Sequence, residues 1–341
     1  MKPASICTCV LLLGALLSCS RSGGELQVVT GPTMGTVYTV KYLAPRRTVD
    51  EEELRQAIEQ ILARLTQQFS TYDPDSELSR LNAAAADEWL PISQEMLTVM
   101  RAALELNRLS GGAFDMTVGP LLALWGFGAS LPKRDRVPSD AAIAATLRLV
   151  GAEQIELRAE PPSVRKKQSK VTLDLNALVP GYAADQIAAR LEKSGVQHYL
   201  VDLGGEFKLK GHNERGEPWA VAIEQPESGA RSAAATLKLT GVGLSTSGDY
   251  RNFFELDGQR YSHEIDPRSG RPIRHYLASV TVIAGSAMQA DGLATALLVL
   301  GPEAGYALAE REKLAALFVQ RSGQTWTQRS TRAFRAYGDS K

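Results

Sequence analysis

Apolar and polar residues alternate over 27–30 and again over 36–42, which predicts two strands turning at Gly31-Pro32. Leu54, Ile58, Ile61, Leu62 and Leu65 then recur at helical spacing on one face, behind a capping box formed by Thr48 and Glu51. A second helix is predicted over 93–109, closed by the glycine pair Gly111-Gly112. The middle of the chain predicts an apolar strand over 171–175, a helix over 182–193 ending at Gly195, and a strand over 199–203 closed by Gly204-Gly205. Strands follow over 220–224, 235–239 and 277–284. The last helix covers 287–300, with Ser286 as its N-cap. Strands and helices mix without a regular βαβ rhythm, so the expected class is α+β with mixed, largely antiparallel sheets. Pro161-Pro162 with Lys166-Lys167 marks a surface loop and is the one candidate lobe boundary. No repeat or low-complexity linker interrupts residues 26–341.

One apolar run stands outside this pattern. Residues 6–17, preceded by Lys2, are too short to span a bilayer as a mature helix and have the form of a signal peptide. Leu16-Leu17-Ser18-Cys19 resembles the lipobox of bacterial lipoproteins, in which the cysteine is lipidated and becomes the new N-terminus. The expected organisation is a signal peptide over 1–18, a lipidated tether over 19–25 and one domain over 26–341. Ser20 rather than Asp after Cys19 resembles lipoproteins sent to the outer membrane, so the expectation is a periplasmic protein with a lipid anchor. Cys7 and Cys9 leave with the signal, and no thiol remains for a disulfide, which a chain of 341 residues does not need for its core. Its 38 basic and 38 acidic residues cancel, which leaves no electrostatic footprint for nucleic acid; an anionic ligand has to be held by local geometry.

Four places can carry chemistry. Small residues in Gly111-Gly112-Ala113-Phe114-Asp115 let backbone approach a flat ligand, and Asp115 can accept from it; a helix cap with a buried aromatic explains the same residues. Tyr72, at the turn Asp73-Pro74, can lie on an aromatic ring or sit half-buried at a helix end. Asp291 and Thr295 are four apart on the last helix and share a face among small residues, a pair of hard oxygen donors suited to Mg²⁺ or Ca²⁺ rather than zinc. His263 stands near Glu264 and Asp266, where it can act as an acid or base or simply pin the turn 267–270. There is no zinc-type cluster of Cys and His, no Gly-x-Ser-x-Gly elbow and no Gly-x4-Gly-Lys phosphate loop.

In order along the chain, several segments together resemble the ApbE family of FAD:protein FMN transferases. They are Met34-Gly35-Thr36, Phe69-Ser70-Thr71-Tyr72, Gly112 to Pro120 with Leu124-Trp125-Gly126-Phe127, and Asp174-Leu175 leading to Gly181-Tyr182-Ala183-Ala184-Asp185. Gly204-Gly205, Ser245 to Tyr250, His263 to Gly270 and Ala290 to Ala296 complete the set, so the likeness covers about 33–301. The resemblance implies two intimately associated lobes with a nucleotide cleft between them. It implies Mg²⁺ on Asp291, Thr295 and the Ala177 carbonyl. FAD, as substrate, would touch Met34, Tyr72, Ala113, Phe114, Asp115, Asp174 and Ile265. The position before Gly-Tyr, charged in many members, is Pro180 here, and a proline cannot supply that contact. FMN would pass to a Thr or Ser of an acceptor as a phosphoester, with AMP released. His263 and Asp249 are the candidate bases, and the implied acceptors are flavin-carrying subunits of sodium-translocating quinone reductase or Rnf complexes. An FAD pyrophosphatase releasing FMN and AMP, and a non-catalytic FAD-binding lipoprotein, remain open beside the transferase.

Overall fold

The structure, a computed structural model, describes residues 24–44, 50–128, 137–226, 233–250, 252–323 and 325–338. The signal peptide, Cys19 and Thr48 lie outside the described residues. In chain order the elements are β1 (Glu25–Thr33), β2 (Thr36–Ala44), α1 (Glu51–Phe69), α2 (Glu77–Ala83), β3 (Leu90–Pro91), α3 (Gln94–Ser110), α4 (Gly119–Trp125), α5 (Asp140–Leu147), β4 (Ile155–Arg158), β5 (Ser163–Lys166) and α6 (Val179–Lys193). There follow β6 (Tyr199–Leu203), β7 (Glu206–Lys210), β8 (Trp219–Glu224), β9 (Ala233–Leu239), β10 (Val242–Gly248), β11 (Phe253–Leu256), β12 (Gln259–Ser262), β13 (Ile265–Asp266), β14 (Arg271–Pro272), β15 (Leu277–Ala284), α7 (Ala287–Arg311), β16 (Ala315–Ser322), β17 (Thr325–Ser330) and α8 (Arg332–Arg335).

An eight-stranded antiparallel sheet, in the order β1-β2-β6-β7-β10-β15-β16-β17, organises the molecule. Side chains alternate between its two faces. On β16, Ala316 and Phe318 join the core made with α1, α3, α6 and α7, whereas Ala315, Leu317 and Val319 join a second core under β8, β9 and α8. With both faces covered, β15 is almost wholly buried, and its residues are apolar apart from Ser279 and Thr281. By length and composition α7 is apolar enough to cross a membrane, but 61 % of its most apolar window is buried in the protein, which makes it the central core helix. A third, smaller core is aromatic: Trp125 of α4 stacks on Tyr261, Tyr261 on Phe254, and Trp125 Nε1 donates to Gly270 O. It joins α4 and α5 to the separate hairpin β11–β12.

Four local expectations are corrected. The first hairpin turns at Met34-Gly35, where φ is 44° and 74°, as a two-residue turn with positive φ at both central positions requires. Gly31 and Pro32 continue β1 instead, and a proline is tolerated there because β1 is an edge strand. The cap of α1 is Asp50, whose side chain accepts from Glu53 N. Residues 171–175 alternate like a strand, with Val171, Leu173 and Leu175 buried, but pair with no strand; Asn82 bonds both backbone groups of Leu173, and Asp174 N donates to Met116 O. Pro161-Pro162 turns the hairpin β4–β5 of a small sheet rather than dividing lobes, and Lys166 is buried, with Nζ donating to three carbonyls.

Candidate functional site

A cleft of about 1060 Å³ opens between the sheet, with α7, and the small aromatic core. That is the upper end of the size of small-molecule sites, roughly 300–1000 Å³, and gives room for a dinucleotide.

One end is built by helix packing. Gly181 lies where α6 meets α7, and a Cβ there would stand 2.5 Å from Ala287 O, so only glycine permits the approach. Asp185, one turn on, accepts from Ala287 N and Met288 N, locking the start of α7 to α6. The Gly181 N–H then donates to Asp291 Oδ2 at 3.1 Å. In the first turn of a helix that N–H has no partner within the helix, and the carboxylate supplies one; among the described residues no backbone hydrogen bond reaches Ala177 O, which lines the cleft.

Asp291 is buried, and burial pushes its carboxyl up to about 7 against the pull of the Gly181 and Ser245 hydrogen bonds; no basic side chain is among the groups acting on it. Thr295, one turn further, lies 2.9 Å from Ser247 Oγ. Ser245 Oγ bridges Asp291 and Glu206, whose own carboxyl is raised by burial and by the charges of Asp291 and Asp202. Carboxylates and hydroxyls without a counter-charge form a hard-oxygen environment that a divalent cation would relieve. Among the described residues no three His, Cys, Asp or Glu side chains converge, so a cation here would also draw on the Ala177 carbonyl, Thr295 and ligand oxygens.

The other end is aromatic. Phe127 and Phe254, 5.5 Å apart, line it with Phe253, and Tyr72, 71 % exposed, lines the cleft as well. His263 stands edge-on to Phe127, with Nδ1 2.9 Å from Asn252 O. A carbonyl can only accept, so Nδ1 carries a proton. Nε2 lies 3.5 Å from Glu264 Oε1, on a carboxyl that burial pushes up and the His263 charge pulls down.

Between the ends runs the segment after α3. The left-handed Gly111 caps that helix, and Asn107 Nδ2 donates to both Phe114 O and Asp115 Oδ2. Asp115 Oδ1 accepts from Thr117 N and Oγ1, and burial raises its carboxyl against these bonds. The segment is a helix cap with a buried phenylalanine, and it also lines the cleft. Asp174 is held by Asn176 and raised chiefly by burial.

Of the residues expected from the sequence, Tyr72, Ala113, Phe114, Asp115, Asp174, Ala177, His263, Ile265, Asp291 and Thr295 share this one cleft. Three expected residues are not among its lining residues. Met34 occupies the hairpin turn and packs against the main core, while Thr36 and Val37 line the cleft. Pro180 sits in the first turn of α6, where its missing N–H costs nothing. Asp249 is bound by the fork of Arg321 at 2.6 and 2.9 Å and is no candidate base. Gly181 as a donor, and Ser245 and Ser247 beside Asp291 and Thr295, were not expected; the i, i+2 spacing of those serines on a strand was the available signal.

The chain is 39% identical over 322 residues to the FAD:protein FMN transferase of Vibrio cholerae serotype O1, covering 94% of this chain and 95% of that one. It is 38% identical over 339 residues to the protein of the same name from Haemophilus influenzae, with 97% and 98% covered. Among solved structures, the flavinyl transferase ApbE of Pseudomonas stutzeri superposes with a TM-score of 0.85 at 45% identity, over 92% of this chain and 97% of that one. The ApbE protein of Thermotoga maritima gives 0.81 at 28%, over 92% and 99%. The sequence model of the ApbE family matches residues 34–318, a span that includes both ends of the cleft, and the chain belongs to that family.

Proposed function

We propose that this protein is a Mg²⁺-dependent FAD:protein FMN transferase, which moves FMN from FAD to a hydroxyl of an acceptor protein and releases AMP. The observation that carries the reading is the buried Asp291 carboxylate, without a basic partner, facing a dinucleotide-sized cleft that also carries an aromatic end. The names of the relatives support the flavin part of it.

Asp291, Thr295 and the Ala177 carbonyl fit a divalent ion, which when bound would neutralise charge on the diphosphate. The protein's own groups account for the rest. Phe127, Phe254 and Tyr72 offer faces for flat rings, and backbone at 113–115 can approach the nucleotide without side chains in the way. His263 is the candidate base: its Nε2 lone pair takes the proton from the attacking hydroxyl, and Glu264 stabilises the imidazolium formed. The new bond joins the acceptor oxygen to the FMN phosphorus, the diphosphate bridge breaks, and AMP carries away the bridging oxygen. Export, lipidation at Cys19 with attachment facing the periplasm, and acceptors of the sodium-translocating quinone reductase or Rnf type complete the proposal; they rest on the sequence resemblance.

The test is incubation with FAD, Mg²⁺ and a threonine-bearing acceptor subunit. The expected result is a covalently bound fluorescent flavin on the acceptor after denaturing electrophoresis. Release of FMN and AMP without an acceptor would make the protein a pyrophosphatase instead, and neither product would reduce it to a binding protein.

A further inference from the structure

Among the described residues the hairpin β11–β12 pairs with no strand but itself, yet it supplies Phe253 and Phe254 to the cleft. Its tie to the large sheet is polar. At the end of β10, Asp249 N donates to Ala278 O on β15, and the Asp249 carboxylate takes the Arg321 fork from β16. The carbonyl of the same Asp249 accepts from Arg260 Nη2, and the Arg260 guanidinium lies 3.6 Å over the Phe253 ring. Further along, Asn252 O accepts from both N and Nδ1 of His263. Arg321 itself lies outside the cleft wall.

We infer that Arg321 is a positioning residue: by fixing Asp249 it holds the hairpin, and with it Phe253, Phe254 and His263, in register with the cation end of the cleft. A bidentate guanidinium–carboxylate pair, with Asp249 7% exposed, sets direction as well as distance, which a lysine at 321 cannot reproduce. The identity of the ligand as FAD rests on the proposed function; the clamp does not.

Two measurements on the full chain keep these apart. In the ligand-free protein, R321Q is expected to speed amide exchange at 252–263 by roughly tenfold or more while leaving α7 unchanged. With Mg²⁺ and FAD, its KM for FAD is expected to rise about tenfold with a smaller fall in kcat, R321K lying between. D249N is expected to match R321Q, and the double variant to be no worse than either single one, because both remove the same contact. Wild-type exchange and KM in R321Q overturn the inference, as does faster exchange spread evenly over the molecule. If wild-type protein fails to bind FAD, the functional reading falls and the exchange result still decides the clamp.

Discussion

At one end of the cleft, Asp291 and Thr295 ride on α7, a helix buried against the sheet, α3 and α6 and tied to α6 through Gly181 and Asp185. At the other, Phe253 and Phe254 belong to a two-stranded hairpin that shares no ladder with the large sheet, with His263 just beyond it. The first end is held by close packing over a long element; the second rests on a small aromatic core and is tied to the large sheet by a few directed polar contacts. Packing of the first kind tolerates almost no added volume, whereas directed contacts fail one bond at a time. The cation end therefore suits a site whose oxygens must be fixed in advance, and the aromatic end suits a surface that has to admit a large ring system and release it.

The largest effect expected is at the packed end. Asp291→Ala is expected to abolish flavin transfer to background while the protein keeps its far-ultraviolet spectrum, since the role proposed for the carboxylate is to bind the cation. Full activity of that variant after chelation and Mg²⁺ resupply would break the comparison at its root. Next, Gly181→Ala is expected to cost about 1–3 kcal/mol of stability by overpacking α6 against α7. Because the same residue aims Asp291, Mg²⁺ affinity measured by calorimetry should fall together with the melting temperature. A stability loss without an affinity loss would show that the two ends are less different than their construction implies.

A gentler probe is pH. In the cation-free protein burial raises the Asp291 carboxyl from 3.8 to about 7, so the protonated form favours folding; that contribution is fully present below pH 3.8 and is lost as pH rises through 7. Proton and cation compete for one group, so Mg²⁺ affinity should fall about tenfold for each pH unit below 7 and level off above it. Titrations at pH 6 and 8 that agree would remove Asp291 from the ligand set.

How much of this was legible depends on the range of the contact. Asp291 and Thr295 could be paired from sequence because a helix fixes the geometry of residues four apart. Most helix and strand positions were legible for the same reason, down to the Ser286 cap and the Gly111 stop. The Asp249–Arg321 pair spans 72 positions and joins two strands on either side of β15, a neighbourhood that only sheet order creates. Without it, Asp249 looked like a carboxylate available as a base. Met34 shows the opposite failure: Gly31-Pro32 is a stronger turn signal than Met34-Gly35, but the register of β1 against β2 places the turn three residues later. The segment 171–175 has the alternation of a strand because burial alone imposes it, and its hydrogen bonds go to an asparagine side chain instead.

The long helix α7 has a consequence for how such a protein can change over generations. Gly292, next to Asp291, leaves no room for a Cβ between Leu106 and Leu178, so a neighbour of the cation ligand is also a keystone of the core. Substitutions that repack this region alter foldedness and chemistry in one stroke, and selection cannot separate them. At the far end Phe254 is likewise shared between the cleft and the small aromatic core, but Phe253 lines the cleft without belonging to that core, and variation in what the cleft accepts has its cheapest route there.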